Sequence, residues 1–159
     1  MIKTLEQWIE VYCKKTNDVF NVPIGYQLAY HPTRGFCVYA LQDNVAVIYE
    51  VGGDGLYWKH YMESNYIFSG KANVLGTICT RHIKPYLRLM GFEFVDGDIE
   101  GRFLAIDKEL KVPILCTVRG ENMNGNKEYV VTEYFDRQCP DTLKEFLERE
   151  DTGNVETQE

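Results

Sequence analysis

The stretch Leu75–Val95 constrains the fold more than any other part of the chain, because it predicts two strands joined by a short helix. Leu75–Thr80 is rich in apolar and β-branched residues, which favours a strand. Arg81–Met90 repeats apolar residues at helical spacing. Gly91 follows where a helix ends in the left-handed conformation, and Phe92–Val95 alternates as a strand does. These residues therefore predict strand, helix, glycine turn and strand in close succession.

The rest of the chain predicts further helices and strands of ordinary length. Apolar spacing predicts a helix from Thr4, its candidate N-cap, to about Lys15, and two more over Leu56–Phe68 and Thr142–Glu150. Alternation predicts the strands Tyr26–Tyr30, Phe36–Leu41, Val45–Val51, Gly101–Asp107, Val112–Arg119 and Glu128–Phe135. The first three should form an antiparallel meander. The predicted class is α+β, with a mixed, mostly antiparallel central sheet and flanking helices.

Length and charge narrow the class of protein. At 159 residues and 45% hydrophobic content, residues 1–150 should form one domain, and residues 151–159 should form a disordered acidic tail. The net charge of −7 argues against direct nucleic-acid binding. Five cysteines without a CxxC pair predict neither a disulfide framework nor a zinc site. The N-terminal residues predict neither a signal peptide nor a membrane span, so a cytoplasmic protein is expected.

The strand, helix, Gly91-Phe92 and strand pattern resembles the late part of the GNAT superfamily of acyl-coenzyme A N-acyltransferases. The resemblance extends over roughly Tyr26–Asp107. It implies the GNAT architecture and the transfer of an acyl group, such as acetyl from acetyl-coenzyme A, to an amine acceptor. It also implies that the parallel strands Val45–Val51 and Leu75–Thr80 are splayed apart to admit the pantetheine arm.

The same resemblance implies a cofactor loop after the strand Val45–Val51. The family motif Q/R-x-x-G-x-G/A aligns with Glu50-Val51-Gly52-Gly53-Asp54-Gly55 and matches it at both glycines. Such glycines let backbone N–H groups approach phosphate oxygens at a helix N-terminus. The implied cofactor-binding residues are Val47 and Tyr49 for the pantetheine arm and Val51, Gly52, Gly53, Asp54 and Gly55 for the pyrophosphate.

Two carboxylates depart from that motif. Glu50 stands where the family has Gln or Arg, and Asp54 adds a second negative charge beside the expected anion site. Each would repel a pyrophosphate by roughly 1 kcal/mol or more at an intermediate dielectric. A plain turn is the alternative interpretation of these glycines.

Tyr86 is the candidate catalytic residue. The family places a tyrosine, the general acid for the departing thiolate, four residues before the glycine of the Gly-Phe turn. Leu87 holds that position here, and Tyr86 precedes it by one residue, or about 100° around a helix. The alternative role for Tyr86 is packing between helix and sheet.

Other groups of residues are weaker candidates for a functional site. Cys79 and His82 suggest a thiolate and imidazole pair, but no oxyanion site accompanies them. The three histidines lack a metal-ligand spacing, so no metal site is predicted. An acidic group could bind a cation or a basic partner, or form a solvated turn; it comprises Asp96, Asp98, Glu100 and Asp107.

Two functions remain open. The first is an acyl-coenzyme A-dependent N-acetyltransferase. The second is a catalytically inactive GNAT-like protein, similar to the small divergent domains found among bacteriophage proteins, that binds a protein partner through its acidic surface. Either is expected in a bacterial or phage-infected cytoplasm.

Overall fold

The computed structural model describes residues 2–122 and 125–149. Its eight strands form one sheet in the order β1-β2-β3-β4-β8-β7-β6-β5. The strands are β1 Gln27–His31, β2 Gly35–Gln42, β3 Val45–Gly53, β4 Val74–Cys79, β5 Phe92–Gly97, β6 Arg102–Asp107, β7 Pro113–Glu121 and β8 Lys127–Tyr134. The helices are α1 Leu5–Thr16, α2 Gly55–Met62, α3 Ile83–Met90 and α4 over residues 143–149, and a π-helix, Glu63–Ile67, continues α2. The predicted tail and the end of the last predicted helix lie outside the described residues.

The predicted α+β class is confirmed. β3 and β4 pair in parallel, and every other neighbouring pair in the sheet is antiparallel. The predicted meander of β1 to β3 is present, and β6 pairs antiparallel with β5. Thr4 caps α1 as predicted, in a capping box with Gln7.

The last strand lies in the middle of the sheet. β8 pairs with β4 over six residue pairs and with β7 on its other side. The segments of β7 and β8 had no assigned role in the sequence-based prediction, because their alternation identifies strands without identifying neighbours. Their placement makes β8 one wall of the region next to β4.

Helices cover both faces of the sheet. On one face Tyr12 of α1 packs edge-on against Phe36 of β2. On the other, Trp58 of α2 joins the buried cluster around Cys37, and α3 inserts Leu87 into a second cluster with Phe103 and Cys116. Since Phe36 and Cys37 are consecutive in a strand, their side chains point to opposite faces. No described helix combines the length and the apolar character required to cross a bilayer.

The parallel pair β3 and β4 separates soon after it begins. Ladder pairing joins only Val45 to Val74, Ala46 to Leu75 and Val47 to Gly76, although β3 continues to Gly53 and β4 to Cys79. Immediately beyond the last pair, Tyr49 is an extra residue in β3, because Ile48 pairs with Tyr39 and Glu50 with the adjacent Val38. A bulge bends and twists the strand that contains it. We attribute the separation of β3 from β4 to this bulge.

Candidate functional site

A cleft of about 920 Å³ lies where β3 and β4 separate. Its walls come from β3, β4, the N-termini of α2 and α3, α1 and β8. The structure brings seven of the eight sequence-predicted site residues together in its lining, and they are Tyr49, Val51, Gly52, Gly53, Asp54, Gly55 and Tyr86. Val47, the eighth, lies just beside the cleft, at the last ladder pair with Gly76.

Asp54 acts as the N-cap of α2. Its Oδ1 accepts a hydrogen bond from the backbone N–H of Tyr57 at 3.1 Å, and its Oδ2 lies 2.6 Å from Nη1 of Arg34. The hydrogen bond from Tyr57 and the pairing with Arg34 lower the pKa of Asp54. The carboxylate is therefore ionised and partly neutralised, and it already occupies one N–H group of this helix N-terminus.

The glycines of the predicted loop are also required by packing. Gly52 and Gly53 are strand residues that pair with Phe36 and Gly35 of β2. A Cβ atom on Gly52 would overlap the ring of Phe36, and one on Gly53, where φ is +99°, would overlap the carbonyl oxygen of Arg34. Close approach of the Phe36 ring to Gly52 and of the Arg34 backbone to Gly53 explains these glycines without a ligand.

Glu50 lies in the cleft on the α1 side of the sheet. Its carboxylate accepts a backbone N–H from Asn21 at 3.4 Å, and Tyr12 contributes a further side-chain hydrogen bond. Burial, reinforced by the charge of Asp18, raises the pKa of Glu50 to about 7. A substantial fraction of Glu50 is thus uncharged near neutral pH, so it repels an anion less than a fully ionised carboxylate would.

Tyr86 lines the cleft from α3. Its ring lies edge-on to Phe92, with 6.3 Å between centroids, while Leu87 is buried in the core. Burial raises the pKa of Tyr86 well above its ordinary value, and the charges of Cys79 and Glu133 raise it further. The phenol therefore stays protonated in the cleft, and its ring has the packing contact of the alternative interpretation.

Cys79 does not have the surroundings of a nucleophile. Burial raises the pKa of its thiol to about 11, and Sγ donates to the carbonyl oxygen of Arg81 at 3.3 Å. His82 is exposed. A nucleophilic cysteine requires a stabilised thiolate, and this environment favours the thiol.

A group of buried charged residues, here called the charge cluster, lies between α2 and the sheet. It consists of Lys59, Glu63, Asp107 and Glu133, each at most 5% exposed. Nζ of Lys59 is 2.5 Å from Oε2 of Glu63, 2.9 Å from Oδ2 of Asp107 and 3.9 Å from Oε2 of Glu133. Lys59 and Glu133 line the cleft, so the cluster and the cleft are continuous.

Glu133 differs from the other two carboxylates of the cluster. Its Oε2 is buried and accepts no hydrogen bond from any described residue. Burial raises the pKa of Glu133 to about 8, despite the opposing effect of Lys59. Burial alone would lower the pKa of Lys59, but the three carboxylates more than offset it, so the ammonium is retained.

The three carboxylates are close enough to hold a metal ion. One oxygen from each lies within 4.8 Å of the others. However, the ammonium of Lys59 already lies beside all three carboxylates. A metal ion would have to displace it.

Asp107 does not share a surface with the other members of the predicted acidic group. It is buried in the charge cluster, whereas Asp96 accepts the N–H of Leu143 at the start of α4. Asp98 accepts the N–H of Glu100, whose own side chain is exposed. The spacing along the sequence had suggested one patch, but alternation along β6 turns Asp107 inward.

The charge cluster was missed as a unit at the sequence level. Glu133 shares its strand face with Tyr129 and Val131, and Asp107 shares its face with Phe103 and Ala105. A carboxylate at an inward position of an apolar strand is a readable signal, because a buried charge needs a partner. The identity of that partner, Lys59 on α2, depends on the tertiary fold.

Comparison with protein-family models, with curated proteins and with solved structures gives no match for this chain.

Proposed function

We propose that this protein is an acyl-coenzyme A-dependent N-acyltransferase with the GNAT architecture, and that the cleft between β3 and β4 holds the thioester arm of the donor. The observation that supports this most directly is the short ladder between the two strands. Beyond Val47 the edge of β3 faces a cleft in place of β4. Such an edge can pair with an extended ligand that carries amide groups, as the pantetheine arm does.

The proposed reaction is transfer from a thioester to an amine. The amine nitrogen attacks the thioester carbonyl carbon, a C–N bond forms, and the C–S bond breaks. The departing thiolate takes a proton from the phenol of Tyr86, which burial keeps protonated, and the nitrogen of the new amide bond gives up one proton, which restores the phenol. The attacking amine must be neutral, so a base must first remove a proton from its ammonium form.

The phosphate end of the donor would lie at the mouth of the cleft. Lys15, Arg81 and His82 are among the residues that line it, and they supply basic groups there. Pairing with Arg34 reduces the repulsion from Asp54, and partial protonation reduces that from Glu50. The two departures from the family motif therefore weaken the binding of a pyrophosphate less than the sequence suggested.

Calorimetric titration with acetyl-coenzyme A tests the proposal. The wild-type protein should bind with saturation, and Thr77→Phe, which fills the cleft from β4, should weaken binding at least tenfold. Tyr86→Phe should retain binding and lose turnover of an amine acceptor. No binding at about millimolar ligand, or equal binding by the wild type and Thr77→Phe, would overturn the proposal.

A second candidate is an inactive protein of the same architecture that binds a protein partner. The specific observation in its favour is that Asp54 already caps α2, where a cofactor phosphate would bind. Pull-down from a bacterial lysate, repeated with Asp96, Asp98 and Glu100 changed to the amides, tests the acidic surface. A partner that is retained by the wild type and lost by the triple variant, together with no acetyl-coenzyme A binding, would favour this candidate.

A further inference from the structure

The sheet ends in two edge strands, β1 and β5, which differ in how they are protected against further pairing. An edge strand presents unpaired N–H and C=O groups, and natural proteins shield them with charged side chains, bulges or prolines. β5 has two of these features, because it contains Glu93 and Asp96 and its register with β6 is interrupted between Phe94 and Asp96. The edge of β5 is therefore blunted against a further strand.

β1 has none of these features. Its sequence, Gln-Leu-Ala-Tyr-His, lacks a lysine, an arginine, a carboxylate and a proline, and all five residues pair with β2 without a bulge. Among the described residues β1 has a strand partner on one side only. Apolar side chains are exposed along it: Leu28 and Tyr30 are 37% and 40% exposed, and Ile24, just before the strand, is fully exposed. Such an edge is suited to pairing with a further strand.

The order of residues in β1 is self-complementary about Ala29. When two copies of the strand pair antiparallel with Ala29 opposite Ala29, Leu28 of each copy lies opposite Tyr30 of the other. In the same register Gln27 lies opposite His31. Directly opposite side chains share a face of the sheet, and aromatic side chains stabilise such cross-strand pairs. Two copies thus match apolar residues with apolar ones and polar residues with polar ones.

Both apolar pairs would lie on an accessible part of the sheet. Tyr30 pairs with Phe36 of β2, so Tyr30 and Leu28 lie on the face where α1 packs against Phe36. α1 nevertheless leaves both side chains partly exposed. Pairing with a second copy would remove this apolar surface from water, which favours association.

Charge favours β1 as the contact between two copies of the chain. The protein carries a net charge of −7, so most of its surface repels a second molecule. In the self-complementary register β1 brings no like charges opposite each other. Head-to-tail pairing of β1 with β5 would use the interrupted edge of β5, and it would leave a free edge on every added copy, so it would not close. The two-fold contact between β1 strands does close.

We propose that two copies of this protein associate through β1, antiparallel and about a two-fold axis at Ala29, so that their eight-stranded sheets join into one continuous sheet. The outer edges of the joined sheet are then both β5, the blunted strand, so the assembly stops at a dimer. The contact is independent of the proposed function, because β2 and β3 lie between this edge and the cleft. Each subunit keeps its own cleft open.

Sedimentation equilibrium at protein concentrations up to about 0.1 mM tests the contact. The wild type should have twice the monomer mass. Leu28→Lys places two lysines diagonally across the two-fold axis and should weaken association at least about tenfold. The matched control, Phe94→Lys, changes a similarly exposed apolar residue of β5 and should remain a dimer. Circular dichroism shows whether both variants are folded. A monomer at every concentration, equal weakening by the two folded variants, or a mass that grows beyond the dimer would overturn the proposal.

Disulfide cross-linking tests the register of the two strands. Ala29 lies opposite Ala29 of the second copy, where the Cα atoms of an antiparallel pair are about 4.5–5.5 Å apart, a distance that a disulfide spans. Oxidation with copper phenanthroline should therefore convert Ala29→Cys into a covalent dimer on a non-reducing gel. Phe94→Cys and the wild type, which has five cysteines of its own, should remain monomeric on that gel. Equal cross-linking of Ala29→Cys and Phe94→Cys, or none in Ala29→Cys, would overturn the proposed contact.

Discussion

Lys59 is the residue on which the interior charges depend. It is the buried ammonium among three buried carboxylates, and its Nζ lies over the ring of Phe92, 5.4 Å from the ring centroid. A buried ion pair adds little net stability compared with an apolar replacement of the whole set. Removal of one partner is costly, because the remaining charges stay buried without compensation.

Lys59→Met should therefore destabilise the protein by about 3–5 kcal/mol at neutral pH. The matched control is Lys14→Met, which removes an exposed i,i+4 pair with Glu10 and should cost about 0.5 kcal/mol or less. Urea denaturation of both variants gives the comparison. Similar losses in the two variants would mean that the cluster is not held by Lys59.

Glu133 should make the protein less stable as the pH rises. Its pKa is about 8 in the folded protein against an ordinary value of 4.5, so between these values the folded state binds more protons than the unfolded state. Unfolding then releases protons, and the free energy of unfolding falls with rising pH. Glu50, with a pKa of about 7, acts in the same direction.

Glu133→Gln removes the pH-dependent loss of stability that comes from ionisation of Glu133. The variant and the wild type should have similar stability near pH 4.5, and the variant should become the more stable of the two as the pH approaches 8. Denaturant unfolding of both proteins across that range measures the difference. A difference that stays constant with pH would show that Glu133 does not change its protonation on folding.

At the scale of elements, the bulge and the glycines of β3 decide where the sheet opens. The two strands were predictable from alternation and the loop glycines from residue type, whereas their parallel pairing was implied by the resemblance to the GNAT superfamily. The bulge at Tyr49 was not predictable, because the extra residue is defined by pairing with Val38 and Tyr39 of β2. The resemblance implied that Gly53 contacts a phosphate, which stays a prediction, and the structure shows that Gly53 permits close approach to the backbone of Arg34.

Gly53→Ala tests the close approach of Gly53 to the backbone of Arg34. Gly70 also has a positive φ, but a Cβ there would meet open space, so Gly70→Ala should cost only the backbone strain of about 1–2 kcal/mol. Gly53→Ala adds an overlap with the backbone of Arg34 and should cost about 2–5 kcal/mol. Thermal and urea unfolding of the two variants checks the order. Equal losses would contradict the close contact.

A substitution of Asp54 at the N-terminus of α2 distinguishes its role as a helix cap from its effect on cofactor binding. Asp54→Asn keeps a capping side chain, so the stability should change by less than about 1 kcal/mol. It removes the negative charge and frees Arg34, and under the proposed function acetyl-coenzyme A should bind several-fold more tightly. Calorimetry on the variant measures this. Unchanged affinity would place the phosphates away from α2.

At the scale of the whole molecule, the cleft divides the sheet between β3 and β4. On one side lie β1, β2 and β3, and on the other lie β4 and the strands from β8 to β5. Three ladder pairs join the two sides, together with α2, which contributes Trp58 to one core and Lys59 to the charge cluster. The resemblance to the GNAT superfamily implied the parallel pair, but the extent of its pairing depends on contacts that are distant in the chain.

This arrangement predicts where a ligand will change the stability of the fold. A ligand in the cleft would bridge the two sides of the sheet. It would also stabilise the folded state, by an amount that grows with the logarithm of the ratio of ligand concentration to dissociation constant. Backbone hydrogen exchange with saturating acetyl-coenzyme A should therefore slow most in residues 48–53 of β3 and 77–79 of β4. In these residues β3 and β4 do not pair with each other. The ladder of β6 with β7 should change less, because it lies away from the cleft. Uniform protection across all strands would indicate binding elsewhere, since only an occupant of the cleft supplies hydrogen bonds to those two edges.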